Sequence, residues 1–526
     1  MSKTIYAILA GVTAAILFAG LVWGWIWWLL IPVVTAWMLS IQDSLQQQHS
    51  LRRNFPLLGR ARWLAELIRP FVRQYFIESD TDGAPINRMF RSIVYQRAKG
   101  DLDTTPYGTK VDVYRDGYEW LSHSLGAHTV KPTDLDNRVE IGGPDCKQKY
   151  SASLLNISAM SYGSLSSAAL TALNKGAKAG GFYHNTGEGG LSPYHLCGAD
   201  VVWQIGTGYF GCRTDEGGFD PDLFKEKAAH PNVKMIEIKL SQGAKPGHGG
   251  ILPASKNTAD IARIRTVEVG TEVVSPSTHR EFNSPLGLLE FVKKLRELSE
   301  GKPIGFKLCV GRRVELLSIC QAMVETGIKP DFITVDGGEG GTGAAPLEYS
   351  NSVGMPLREG LAAVDDCLRG FGVRGDIRVI ASGKVFTGFH MAKNLALGAD
   401  LCNSARGMML ALGCVQSLIC HTNHCPTGVA TQDPDLIRGL VVEDKWQRVQ
   451  RFHAETLHAF VDLMSSAGLH SACDLTRTHI YRRCGQDNIK RYDQIFTPVT
   501  DGALLGDAWP EPYREMRPAV VTDSFS

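Results

Sequence analysis

Three cysteines stand close together late in the chain: Cys414, Cys420 and Cys425, spaced C-x5-C-x4-C and followed by Pro426. In a reducing compartment, clustered thiols read as metal or iron–sulfur ligands rather than disulfides. Zinc asks for a fourth ligand, which His421 or His424 would have to supply, and usually for a closer first pair. Three thiolates alone suit a three-iron cluster, or a four-iron cluster with one open or foreign ligand. The remaining cysteines are scattered; Cys309, Cys320 and Cys402 read as small buried apolar residues.

A second set of residues is cationic. Lys239 and Lys307 each end a short apolar run, Lys245 sits in Gln242-Gly243-Ala244-Lys245-Pro246-Gly247-His248-Gly249-Gly250, and Arg265 follows. A lysine directed into an enclosed mouth needs an anionic or electron-rich partner. Lys239, Lys245 and Arg265 form a candidate clamp for a dicarboxylate, although each alone would equally suit an internal salt bridge. Lys307, beside a flavin, would stabilise negative charge on the reduced ring. In Asp336-Gly337-Gly338-Glu339-Gly340-Gly341-Thr342-Gly343, five of eight residues are glycine, so successive amides can face one anion. With Ser382-Gly383 this makes a candidate phosphate cradle. No G-x-x-x-x-G-K-[ST] occurs, so a nucleoside triphosphate is not indicated.

The elements that must position these residues recur regularly. Short apolar runs lie at 154–159, 182–185, 201–205, 233–240, 304–308, 332–335, 379–381 and 400–404, with helical stretches between most of them, such as 166–178 and 285–300. Eight strands alternating with helices over about 250 residues is the arithmetic of a (β/α)8 barrel, whose chemistry lies where the strands end. An open doubly wound sheet is the competing α/β solution, but no G-x-G-x-x-G follows the first run. Glycine, at 55 of 526 residues, exceeds the usual share of about 7% and fits many tight approaches to a ligand. The net charge of +1 excludes a polyanion-binding body, so no nucleic-acid partner is expected.

From Thr4 to Ile41 no residue is charged. One straight helix of that length would run about 55 Å, nearly twice a bilayer core of about 30 Å. The run breaks at Trp23-Gly24-Trp25-Ile26-Trp27-Trp28, which predicts two spans, about 5–22 and 26–41, with tryptophans at the far interface. A single tilted helix is the rival. Lys3 before the spans, and Arg52, Arg53, Arg60 and Arg62 after them, place both flanks in the cytoplasm. The expected location is therefore the inner (cell) membrane with a cytoplasmic catalytic body. The expected divisions are 1–45 membrane segment, 46–150 membrane-proximal extension (part of it, 54–98, lying along the membrane), 151–440 barrel with cysteine loop, and 441–526 a helical C-terminal extension.

These motifs, in this order, resemble the FMN-binding synthase domain of glutamate synthase. The resemblance rests on Ala159-Met160-Ser161-Tyr162-Gly163-Ser164, Asn185-Thr186-Gly187-Glu188-Gly189-Gly190, the Gln242–Gly247 run, Gly340-Gly341-Thr342-Gly343-Ala344, and Cys414 through Pro434. It implies a TIM barrel holding FMN, a [3Fe-4S] cluster on the three cysteines, and reduction of 2-iminoglutarate, formed from 2-oxoglutarate and ammonia, to glutamate. It further implies 2-oxoglutarate ligands at Lys239, Lys245 and Arg265, with Glu188 near the reacting centre. Flavin contacts are implied at Met160, Ser161, Gln204, Lys307, Gly340, Gly341, Gly383 and Ser404.

Departures from the family pattern fall near ligand positions. His248 stands where the family has Glu, Tyr209 replaces an Arg, and Leu401-Cys402-Asn403-Ser404 lacks the family's glycine. Neither the family's glutaminase domain nor its β-helical domain is expected here, so ammonia, or an amine, would be free or delivered by a separate subunit. No nicotinamide fingerprint is present; a ferredoxin or flavoprotein subunit is the expected electron donor, with a quinol as a second source. Two other readings stay open: FMN chemistry on a different amino or hydroxy acid, and a membrane-tethered electron-transfer subunit without its own substrate.

Overall fold

The computed structural model describes residues 2–525 except 132, 133, 135 and 136. The chain divides into two compact units, Met1–Arg88 and Met89–Ser526.

In the first unit, helix Ser2–Gly20 leads into a 3-10 turn, Gly24–Leu29, and a second helix, Leu30–Leu45. The turn is tight because Gly20 carries no side chain: a Cβ there would meet the Trp27 ring at 2.8 Å. The two helices are tied along their length. The Tyr6 hydroxyl donates to the Ser40 carbonyl at 2.9 Å, and the Trp37 indole N–H donates to Thr13 Oγ1 at 3.0 Å. Both Lys3–Gly20 and Gly24–Leu45 are long and apolar enough to cross a membrane by length and composition. The second helix begins at Leu30, later than the expected span start at 26, because the tryptophan run is spent on the turn.

The second unit is built on a closed barrel of eight parallel strands: β1 (Leu155–Ile157), β2 (His184–Asn185), β3 (Val201–Ile205), β4 (Val233–Lys239), β5 (Ile304–Leu308), β6 (Phe332–Asp336), β7 (Arg378–Ser382) and β8 (Leu401–Ser404). Each pairs with its successor, and β8 closes on β1 through Cys402–Leu155 and Asn403–Asn156. All eight expected runs are strands, although β2 is only two residues long. Around them run α1 (Ser167–Gly180), α2 (Pro221–Ala228), α3 (Ala259–Arg265), α4 (Pro285–Leu298), α5 (Arg313–Thr326), α6 (Leu357–Gly370), α7 (Gly388–Ala396) and α8 (Arg406–Leu412). Local signals set their ends: the Ser166 hydroxyl accepts the Ala169 N–H at 3.1 Å to start α1, and Gly181 stops it at φ 68°.

A hairpin, Arg138–Ile141 against Tyr150–Ser153, plugs the barrel's N-terminal end. Its Ile141, Tyr150 and Ala152 join Val202, Met235, Phe332, Ile380 and Leu401 in one buried apolar cluster. That floor leaves the C-terminal rim for chemistry. The C-terminal extension begins with a long helix, α9 (Val442–Ser466), laid on α1. Further along it carries two strands, Ile480–Arg483 and Ile489–Arg491, paired with each other, the first also pairing with Glu119–Leu121. This small sheet was not foreseen. Glu119 anchors it, accepting from Arg358 and Arg482 at 2.6 Å each, Lys393 at 2.7 Å and Tyr492 at 2.9 Å.

The α1–α9 contact depends on Gly176, where a Cβ would lie 2.8 Å from both the Trp446 carbonyl and the Val449 Cβ. Gly176→Leu is expected to lower stability by about 2 kcal/mol through overpacking, read as a shifted urea midpoint.

Candidate active site

Strands alternate their side chains, so Glu237 and Lys239 on β4 both enter the barrel. Glu237 is buried and saturated: one oxygen accepts from Asn185 at 2.8 Å and Gln204 at 2.6 Å, the other from Thr334 at 2.5 Å. It thereby links β2, β3, β4 and β6 across the lumen.

One step nearer the rim, Lys239 Nζ meets Glu188 Oε1 at 2.7 Å. Glu188 sits in a slot made by two glycines: a Cβ on Gly206 would meet its Oε2 at 2.7 Å, and one on Gly250 would collide with Oε1. Burial pushes the Glu188 carboxyl upward, but Lys239, Arg265 and Lys245 overcome that and hold it below the ordinary range. Three buried cations thus face one partly buried carboxylate. Lys245 donates to the Ala344 carbonyl at 2.9 Å, and burial pushes its ammonium down to about 8 even with Glu188 nearby. Arg265 donates one Nη2 bond to the Tyr162 carbonyl at 2.9 Å, its guanidinium lodged where Cβ atoms on Gly163 and Gly189 would be. Its Nε is buried without a partner. The structure therefore brings the four expected residues Glu188, Lys239, Lys245 and Arg265 to one place, with positive charge in excess.

Lys307 lies beside this group, paired at 3.1 Å with Asp336 at the end of β6. Burial disfavours its charge, but Asp336 and Glu237 hold it above the ordinary lysine range. Asp336 also accepts the Gly243 N–H at 2.9 Å, fastening the loop after β4 to the loop after β6.

The expected flavin contacts lie around this rim. The Met160 carbonyl accepts from His195 Nε2 at 3.0 Å, and the Ser161 hydroxyl donates to Ser164 at 2.9 Å. Gln204 is committed to Glu237, and the Ser404 hydroxyl to the Val385 carbonyl at 2.6 Å. Gly340 closes a tight turn onto the Gly337 carbonyl at 2.8 Å, and Gly383 holds φ 150°. A Cβ on Gly341 would lie 3.0 Å from Arg406 Nε. Arg406 was not foreseen. Its Nη2 donates to the Thr342 carbonyl at 2.8 Å, and among the described residues no carboxylate pairs with it. A half-buried guanidinium against a glycine-rich turn, without its own anion, fits a phosphate. Its only sequence signal is its place just after β8.

The cysteine loop is bound to the loop after β1. The Ser166 hydroxyl donates to the Gly428 carbonyl at 2.6 Å, Gln432 Nε2 to the Leu165 carbonyl at 2.9 Å, and Lys256 Nζ to the Ser164 and Ala430 carbonyls at 3.2 and 2.8 Å. Burial disfavours the Cys425 thiolate, yet the Thr427 hydroxyl and the N–H groups of Ala430, Thr427 and Val429 lower its pKa below the ordinary value. Burial raises Cys414. Cys414, Cys420 and Cys425 are all unpaired thiols. Among the described residues no three His, Cys, Asp or Glu side chains converge on one metal-ion position.

Two departures also have locations. His248 Nδ1 meets the Gly249 carbonyl at 2.9 Å, its ring edge-on to Tyr349 at 5.3 Å. Tyr209, buried at φ 50°, offers its hydroxyl to the Arg280 and Glu281 N–H groups at 3.2 Å each and to His279 Nδ1 at 3.1 Å. His279 Nε2 meets the Lys239 carbonyl at 2.9 Å. A carbonyl only accepts, so Nε2 carries the proton and Nδ1 accepts from Tyr209; burial pushes His279 down to about 4, keeping it neutral.

Residues 108–470 match the family model described as the conserved region in glutamate synthase. The chain is 38% identical over 505 residues to the glutamate synthase large subunit-like protein YerD of Bacillus subtilis, covering 88% of this chain and 96% of that one. It is 33% identical over 356 residues to the archaeal glutamate synthase (NADPH) of Methanocaldococcus jannaschii, 67% of this chain and 65% of that one. Against the glutamate synthase (NADPH) large chain of Bacillus subtilis it is 32% identical over 285 residues, only 18% of that protein's length.

Tyr209→Phe removes the acceptor of two backbone N–H groups and the partner of His279. It is expected to lower stability by about 2 kcal/mol, read by thermal unfolding.

Proposed function

This chain belongs to the glutamate synthase family, and from that premise we propose that it is a flavin-dependent oxidoreductase reducing 2-iminoglutarate, made from 2-oxoglutarate and ammonia or an amine, to glutamate. The observation that carries this reading is the cluster of Lys239, Lys245 and Arg265 around the single carboxylate of Glu188. A buried excess of positive charge calls for a dianion, and a dicarboxylate supplies two charges with the oxygen geometry that lysine and arginine recognise.

In this reading Lys245 and Arg265 hold the two carboxylates and desolvate the keto acid. Lys239 Nζ donates to the keto oxygen and follows it as a proton donor while water leaves. Glu188, through Oε2, the oxygen not paired with Lys239, takes the proton shed by the incoming amine and passes it to the departing hydroxyl. Lys239 and Glu188 together thus supply the two protons of the water lost, and the imine nitrogen returns one to Lys239. The hydride that completes the reduction is the chemistry FMN supplies when bound. The residues assigned to hold it are Lys307 at the ring, Met160, Ser161 and Gln204 beside it, and Gly340, Gly341, Gly383 and Ser404 with Arg406 around the phosphate. Support for the last group is the Arg406 guanidinium against Gly341, which no carboxylate among the described residues neutralises.

Cys414, Cys420 and Cys425 are assigned to a [3Fe-4S] cluster fed by a ferredoxin or flavoprotein subunit, with ammonia from solution or a separate subunit. This rests on the thiol set and the amide-held Cys425, not on a convergent metal position. The apolar hairpin is assigned to the inner membrane with the barrel in the cytoplasm, on the length of its helices and the basic residues Lys3, Arg52, Arg53, Arg60 and Arg62 at its ends. His248 and Tyr349 at the mouth favour one second reading, a different amino or hydroxy acid as substrate.

Anaerobic purification in detergent, followed by absorption and EPR spectra, tests both cofactors; a preparation with neither chromophore after reconstitution overturns the oxidoreductase reading. Lys245→Met is expected to keep its flavin spectrum and lose about a hundredfold in 2-oxoglutarate-dependent turnover. Unchanged turnover would remove Lys245 from the clamp.

The clamp also has a pH signature. Lys245 titrates near 8 in the free protein, and a bound dicarboxylate favours its charged form. Affinity for 2-oxoglutarate should therefore fall as pH rises through about 8, with proton uptake on binding near that pH. Calorimetry in buffers of different ionisation enthalpy reads both, and affinity that is flat across this range contradicts the assignment.

A further inference from the structure

Beyond the hairpin, the first unit carries a helix, Arg60–Val72, that runs on into a wider turn, Arg73–Ile77. At about 3.6 residues per turn, Leu64, Leu67, Ile68, Phe71 and Tyr75 share one side, and Arg62, Arg69 and Arg73 share the other. No residue of Arg60–Val72 is buried. Leu67 is 70% exposed, Phe71 59% and Phe76 84%. A helix that packs on a protein core covers such a stripe, whereas one facing water does not build it. The polar side is basic: Glu66 is the only acid in the helix, and it approaches Arg69 at 3.7 Å.

The start of this helix is fixed to the end of the hairpin. Asp43, in the last turn of Leu30–Leu45, accepts from Arg60 Nε at 2.8 Å and from the Leu57 N–H at 3.0 Å. A hairpin that crosses a bilayer returns both its ends to one face, so the amphipathic helix begins at that face.

We propose that residues 60–77 lie along the membrane surface, with Leu64, Leu67, Ile68, Phe71 and Tyr75 in the acyl boundary and Arg62, Arg69 and Arg73 on anionic phospholipid headgroups. An open apolar stripe flanked by arginines is the pattern of an interfacial helix, and the charge selects an anionic leaflet. The inference rests on the membrane placement of the hairpin and adds a lipid preference that the hairpin itself does not carry.

The test uses the full chain in nanodiscs of phosphatidylcholine alone and of phosphatidylcholine with phosphatidylglycerol, read by hydrogen–deuterium exchange of residues 60–77. Exchange should be about tenfold slower with phosphatidylglycerol than in detergent. Leu67→Asp/Phe71→Asp should lose that protection while the flavin spectrum stays unchanged. Arg62→Gln/Arg69→Gln/Arg73→Gln should lose only the difference between the two lipids. Protection that survives Leu67→Asp/Phe71→Asp, that persists equally in detergent, or that appears only with two chains per disc would overturn the inference, the last by assigning the stripe to a second copy. Carbonate washing separates the two levels: a chain stripped from membranes overturns the anchor and this inference together, whereas a retained chain with unprotected residues 60–77 overturns only the inference.

Discussion

Charge inside a barrel must be compensated within the barrel, and that constraint organises the second unit. Glu237 lies in the lumen, where water cannot serve it, and the fold answers with three donors from three other strands. Two residues further along β4, and so on the same side of the sheet, Lys239 meets its own carboxylate on the loop after β2. Lys307 on β5 does the same with Asp336 on β6. The barrel core is thus apolar at its floor, polar and saturated in the middle, and cationic at its rim. A ligand entering from the rim completes a series of pairings that the lower layers have already closed.

Much of this was legible in the sequence because its causes are local. The eight strands show as β-branched runs ended by polar clusters, and α1 and α4 show between them. The cations at 239, 245 and 265 were legible as types that need anions, though only the fold brings them to one carboxylate. What escaped reading depends on contacts between distant residues. Glu237 looks in sequence like any acid within an apolar run; its role appears only when Asn185, Gln204 and Thr334 face it. Arg406 has no motif, and its place beside Gly341 comes from the juxtaposition of two loops. The second apolar helix starts late because a ring against Gly20 decides where the turn tightens, which hydropathy does not record.

The residues expected to depart from the family pattern have a common physical sense. Tyr209, expected to depart from the family pattern, lies one residue contact away from Lys239 in a group that also holds Lys245, Arg265 and Lys307. It keeps a hydrogen-bonding tip but adds no charge. Through neutral His279 it holds the main chain of Lys239 rather than its ammonium. His248, the other expected departure, meets the Gly249 carbonyl and the edge of the Tyr349 ring and brings no carboxylate to the rim. Both residues border the cluster of Lys239, Lys245 and Arg265 around Glu188 without adding a charge to it.

Glu119 gives the second unit an unusual mechanical property. The carboxylate comes from a segment ahead of the barrel, yet its partners Arg358 and Lys393 belong to α6 and α7, and Arg482 and Tyr492 to the C-terminal extension. The two flanks of the barrel are tied together over its outside by one partly buried ionic knot. Tension applied to either flank would be borne there before it reached the strands. The same knot makes the flanks interdependent, because removing either past it strands the charges of the other.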